Sequence, residues 1–503
     1  MPKYLIAVAL IIAPSAALAQ APLQPSTTSG ARMALASLEP GQAREDFQLL
    51  RHALEEAHPG LYRHSSKAEM DRTFDAFAAK LNRPISTAEF EEGIAGVLAA
   101  IRCGHTSLTP DAQLEMAMRE ARTFPLRVMV QGEGLVVMLN DTPADATIRP
   151  GMELLEINGR KVSEILDRLW PCLSGDGDIQ TGKRHDITGR FSHYYWWMVD
   201  RSERFTIKAR DASGALVTAT LEGVNDSDRK SNHNPVNAPV MDAVGKILRW
   251  GHEDPSFRYI KDPDIAEIRI NYFLGDKFPA TLESIFKTLR GKKTGTLIID
   301  LRGNGGGQDE YGALLVSYLT NKPFRYFDRI QIKTLEPSFS QYLEGSGSFK
   351  DAFAAGKVIA DPAGGFLVTP KLHRGLAMQQ PAKFPFTGKV FVLTDGGTFS
   401  TAADFCAVTH SLGRAKFIGE ETGGGYFGNN SGPMPTLTLP NSKVRIRFPM
   451  YAYYNAVSAP QLRRRGTIPD QAVELKVSDL LKGIDAPLDR AVALANAAPA
   501  PGR

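Results

Sequence analysis

The stretch TLIIDLRGNGGG, residues Thr296 to Gly307, joins an apolar run to three consecutive glycines. The run reads as a strand, and the glycines let backbone N–H groups come close to a bound molecule. A phosphate loop would need Gly-Lys-Ser or Gly-Lys-Thr to follow, and none does. A dinucleotide fingerprint spaces its glycines as GxGxxG, whereas these are contiguous. A plain turn rarely needs three glycines. N–H groups arranged to meet an oxyanion explain them better.

Working outward, strands and helices alternate. IAEIRINYF precedes the stretch, and a helix is expected around 280–289. YGALLVSYLT reads as a helix, KVFVLTD as a buried strand, AADFCAVTHSLGRA as a helix and KFIGEETGGG as strand and glycine turn. The alternation predicts an α/β core. Residues 325–388 lack periodicity, carry GSGS and PAGG, and read as a lid or substrate wall.

Two residues in this frame bear chemistry. Ser400, in GGTFSTAADF, falls at a strand-to-helix turn, where free N–H groups and the helix dipole favour negative charge. Serine there fits two roles, N-cap or nucleophile. Ala402 stands where an α/β-hydrolase elbow needs glycine, which disfavours that family. His105, in IRCGHTSL, sits in a short polar break between apolar segments and fits either a general base or a satisfied structural histidine. His52, His58 and His64 lack the spacing of a zinc site, and His410 lies ten residues into the Ser400 helix.

Residues 40–103 read as helical, with breaks at Pro59-Gly60 and Pro84, and 125–225 as strands. The polar stretch Asn225–Asn234 reads as a linker, and SGDGDIQTGKRHD as a surface loop. The first residues read as an export signal: Lys3, an apolar run from Leu5 to Ile12, then Ala17-Leu18-Ala19 before a cut ahead of Gln20. A periplasmic or secreted protein is expected, with no membrane span. The net charge of +4 is too small to argue for nucleic acid. Of three cysteines, Cys103 and Cys172 are candidates for one disulfide.

Taken in order, LIIDLRGNGGG, TFST, GRAKFIGEETGGG and RGTIPD resemble the C-terminal-processing and tricorn-like serine peptidase family over about residues 40–480. The resemblance implies a crotonase-like ββα core at 235–485, after a signal peptide (1–19), a flexible segment (20–39), an N-terminal helical domain (40–118) and a PDZ-like β-rich domain (119–228), with a C-terminal tail at 486–503. RPGMELLEINGRKVSEIL is similar to the PDZ hairpin and helix, with Met152 where an acid would stand. The resemblance implies Ser400 as nucleophile, His105 as base, and an oxyanion hole from Thr401, Gly305 and Gly306. The Ser–Lys design is absent, because Gly425 stands at the lysine position. Arg463 stands about where the tricorn-like branch has its glutamate; Asp470 and Glu421 are candidates for a third member, and a backbone carbonyl or a hydroxyl orienting the Ser–His pair is the alternative. The expected substrate is a peptide or unfolded protein, and no metal or organic cofactor is implied. The alternatives are a non-catalytic binder of peptides or apolar ligands on the same fold, and a small-ester or thioester hydrolase.

Overall fold

The computed structural model describes residues 37–109, 112–231, 233–248, 255–345 and 347–497. The expected signal peptide, most of the segment after it and the last six residues lie outside them.

Helices α1 (Pro40–Ala57), α2 (Lys67–Ala78) and α3 (Thr87–Ala100) form the first region. Ser66 and Ser86 cap α2 and α3 by accepting the N–H of Glu69 and Glu89. Strand β1 (Ser107–Thr109) begins two residues after His105.

A mostly antiparallel module comes next: β2 (Leu126–Gln131), β3 (Gly134–Asn140), β4 (Glu153–Ile157), β5 (Arg204–Arg210) and β6 (Leu216–Glu222), paired in that order. Strict burial alternation along β2 puts one face on a core of Val128, Leu154 and Ile207. Helix α4 (Thr181–Tyr194) packs along β2, where the Thr188 hydroxyl accepts the Val130 N–H. SGDGDIQTGKRHD is therefore not a surface loop. Its second half is α4, and its Asp176 is buried.

The expected linker is folded as well. Arg229, on the short helix Asp226–Ser231, reaches Asp141, and Asn234 is buried against Asp145 O.

The central sheet runs in the order β7 (Ser256–Lys261), β8 (Ile265–Arg269), β9 (Thr296–Asp300), β13 (Lys389–Thr394), β14 (Lys416–Gly419) and β19 (Gln471–Ala472). All pairs from β8 onward are parallel. Strands β8 and β9 are buried along their whole length, as the apolar run predicts for a sheet covered on both faces. Helices α5 (Phe278–Gly291), α6 (Asp309–Ser317) and α7 (Thr401–Ser411) accompany the sheet. Helix α5 buries Phe278, Leu282, Ile285, Phe286 and Leu289, one stripe at helical spacing. In α7 every residue from Thr401 to Thr409 is buried. This is the α/β core the sequence predicts.

Residues 325–388 are framework, not an irregular lid. Strands β10 (Phe327–Ile332), β11 (Val358–Ala360) and β12 (Phe366–Val368) form a five-stranded sheet with β15 (Asn430–Ser431) and β18 (Tyr451–Asn455). A four-stranded sheet joins Leu343–Glu344, β16 (Thr436–Thr438), β17 (Arg445–Arg447) and β1. It stitches the strand after His105 into the core, across the expected boundary at 118. The expected tail is helix α8 (Ala486–Asn496), capped by Asp485 and packed through Leu488 and Ala491. All three cysteines are free, so Cys103 and Cys172 form no disulfide.

Candidate active site

Ser400 occupies the N-cap position of α7, but its hydroxyl makes no capping bond. Its backbone sits at φ 52° and ψ −131°, a region that side chains rarely adopt. Holding it there costs roughly 1–3 kcal/mol and turns the side chain away from the helix. The hydroxyl meets His105 instead, with Nε2 3.2 Å from Oγ. The two residues lie 295 positions apart and belong to different regions of the chain.

The glycine loop after β9 lies against this turn. The Phe399 N–H donates to Asn304 O at 2.9 Å, and Asn304 Oδ1 accepts the Gly306 N–H at 2.8 Å. Gly306 is at φ 104°, and a Cβ on it would fall 2.7 Å from Ser400 Cβ and 3.0 Å from Thr401 N. Its expected role therefore changes. Its N–H is taken, and the residue supplies the space in front of the nucleophile. Among the described residues the Gly305 N–H has no acceptor. The Thr401 N–H belongs to the first turn of α7, where N–H groups have no partner within the helix. The Thr401 hydroxyl lies 2.9 Å from Gly307 O and 2.8 Å from Asp309 Oδ1.

His105 is half-buried and stacks on Phe399, with ring centroids 4.5 Å apart. Burial, and after it the charge of Arg447, lower its pKa to about 4, against an opposing pull from Asp309. It is thus neutral at pH 7, as a proton acceptor must be. Nδ1 is buried and has no hydrogen-bond partner among the described residues. Neither expected third member reaches it. Glu421 is clamped by Arg465 and the Gly466 N–H, and Asp470 by Lys416 and the Phe417 N–H. Glu421 follows β14 and Asp470 precedes β19, and both serve the packing of the closing segment. Arg463 is exposed at the end of the turn Pro460–Leu462.

The sequence reading missed Asp176. Its Oδ1 accepts the Gly104 N–H at 2.7 Å, next to His105, and its Oδ2 accepts the Gly425 N–H at 3.3 Å, in the glycine turn beside Ser400. Burial pushes this carboxyl up to about 6. Gly104 has to be glycine, since a Cβ would strike the Phe399 ring at 2.7 Å. Behind the loop, Thr106 is buried and bonded to His58 Nε2 at 2.8 Å. The thiols are poor rivals as nucleophiles. Burial raises Cys103 and Cys172 to about 11, and holds Cys406 well above the ordinary thiol value.

A serine on a strained turn, facing a neutral histidine and an N–H-rich loop, defines a hydrolase site of the serine class. Residues 264–473 match the profile of peptidase family S41. The match is to the core of the chain, and the catalytic class it supports is serine peptidase. Among solved structures it is similar to mature CPAF, at 17% identity over 91% of this chain and 96% of that one, with a TM-score of 0.60. Mature CPAF complexed with lactacystin gives 15% identity, coverage of 91% and 98%, and a TM-score of 0.62. At such identities the likeness is one of fold. Among curated proteins no sequence matches.

Proposed function

We propose that this chain is an exported peptidase that cleaves peptides or unfolded proteins by a Ser400–His105 pair. The observation that carries this is the Ser400 hydroxyl, turned out of its capping role and placed 3.2 Å from His105 Nε2. His105 takes the Ser400 proton as Oγ attacks the peptide carbonyl. The N–H groups of Thr401 and Gly305 hold the oxyanion. His105 then protonates the leaving amine, and water releases the acyl group through the same base. Export rests on the leader-like residues 1–19.

Peptide capture falls to the PDZ-like module. A cavity of about 350 Å³ lies where Met129, Val130 and Met138 of its sheet and Arg184 of α4 face Tyr272 and Glu420 of the core. An extended chain held there would pass close to the Gly303 turn, which lines the same cavity.

One observation favours a second reading. A neutral His105 accepting from Ser400 carries its proton on Nδ1, and no carboxylate among the described residues receives that proton. A non-catalytic peptide binder would tolerate this. Fluorophosphonate labelling read by intact mass separates the two. A peptidase gives one adduct on the wild type and none on Ser400→Ala. A folded protein that takes no adduct is a binder.

A further inference from the structure

Two arginines project from β17 on one face of its sheet, because residues two apart in a strand share a face. The fold treats them differently. Arg445 is paired with Glu344 at 2.7 Å, and Thr438 steadies the same carboxylate at 3.2 Å. Arg447 is half-buried, and among the described residues it has no ion pair or hydrogen bond. Burial alone lowers its pKa, with no carboxylate near enough to oppose it.

Its position is specific. Arg447 is directly opposite Ser107 on one side and Thr436 on the other, so the three form a polar row across the sheet. The intervening residues, Ile446 and Leu108, pack inward. Ser107 lies two residues after His105, and Arg447 is close enough for its charge to act on that ring. A half-buried guanidinium without a counter-charge keeps its donor fork free, and a carboxylate can take it in bidentate fashion.

We infer that Arg447 is a receptor for a substrate carboxylate beside the scissile bond, so that this site selects acidic peptides. The inference rests on the Ser400–His105 reading only for where the bond is cut. The carboxylate comes either from an aspartate or glutamate side chain or from the end of the chain. Bound there, it would neutralise the cation that weakens His105, so that the base strengthens only when the right substrate is in place.

The test measures binding apart from chemistry. Ser400→Ala protein is titrated by fluorescence anisotropy with labelled octapeptides in matched pairs. One set exchanges Glu for Gln at each position in turn, and the other exchanges a free C-terminus for an amide. Recognition by Arg447 predicts that at least one carboxylate twin binds about tenfold tighter or more, the value of one hydrogen-bonded charge pair. Arg447→Gln in the same background should erase the difference, and Arg447→Lys should restore part of it. Preference at one Glu position identifies a side chain, and preference for the free acid identifies the terminus. If no twin differs, or the difference survives Arg447→Gln, the inference is wrong. Arg447→Lys decides the matter should the glutamine variant fail to fold. Labelling of the Ser400 protein is read separately. Failure there with an intact carboxylate preference would sink the peptidase reading and leave Arg447 as a ligand site.

Discussion

Ser400 hangs from the parallel sheet through a short turn, and nearly everything around it is backbone. Asn304 O takes the Phe399 N–H, the glycine loop closes over the side chain, and a helix buried from Thr401 to Thr409 starts at the next residue. His105 is carried in from the helical region on a loop. That loop is held mainly from the Asp176 segment and by side chains: the Asp176 carboxylate on the Gly104 N–H, the Ser174 hydroxyl on Thr106 O, the Gly177 N–H on Arg102 O, the Phe399 stack and the His58–Thr106 bond. The nucleophile is placed by the fold, whereas the base is placed by a few side chains. Damage to the first half should abolish chemistry outright, and damage to the second should weaken it in steps.

The largest effects therefore belong to the nucleophile half. Ser400→Ala should remove fluorophosphonate labelling and reduce peptide turnover on the order of 10⁴-fold or more. Its melting temperature should hold or rise, because Ala removes a side chain from a disfavoured backbone position only in part and no capping bond is lost. Gly306→Ala should come next. Its methyl would occupy the space in front of Ser400, at a positive φ, with a Cβ 2.7 Å from the serine Cβ. A loss of roughly 10²–10³-fold in kcat is expected, the scale of a spoiled oxyanion hole. Wild-type activity in a folded Gly306→Ala protein would show that the glycine loop does not face the reaction.

These two halves were not equally legible in the sequence. The nucleophile half is local: an apolar strand, a glycine run and a Ser at a helix start sit in short contiguous stretches, and each shows its own pattern. The base half is not. His105 stood out through CGHT, but Asp176 acts from 71 residues further on, within a Gly-Asp-Gly run that has the composition of any exposed loop. Nothing in that run records that both carboxylate oxygens meet backbone N–H groups of distant loops. Strands β10, β11 and β12 were lost for a related reason. They are short, and β10 pairs with β18 more than a hundred residues later, so no periodicity had room to show. Helix α8 was different. Asp485, then Pro487 and the apolar spacing of Leu488 and Ala491, are ordinary start signals and were readable.

Asp176 tests how thinly the base is held. Asp176→Ala leaves the part-buried Gly104 N–H and the buried Gly425 N–H without acceptors, at about 1–3 kcal/mol for the buried one and less for the other. The melting temperature should fall by several degrees. If the loop only supports the base, kcat should fall about 10–100-fold while KM changes little, because Asp176 makes no bond to Ser400 or His105. Asp176→Asn keeps one acceptor oxygen and should sit between the two. Equal losses of labelling rate in Asp176→Ala and Gly306→Ala would erase the contrast between the halves.

The smallest expected effect is the most informative about His105. The base works in its neutral form, and burial together with Arg447 lowers its pKa to about 4. Activity should therefore be present above that value and disappear as the pH falls through it, giving an acid limb in kcat/KM well below the ordinary histidine range. The charged groups acting on the ring are Arg447, which lowers the value, and Asp309, which raises it. Arg447→Gln removes the first and leaves the second, so the limb should move to higher pH. It should stay below the ordinary range, since burial is the larger cause. A carboxylate paired with Ser–His sites normally both fixes the tautomer and strengthens the base. Here Nδ1 lacks that partner and a cation stands nearby, so this base is weak by construction until something offsets Arg447. An acid limb near 6–7 in the wild type, measured on a neutral peptide, would mean that an unrecognised anion already holds Nδ1. The two halves of the site would then be equally well built.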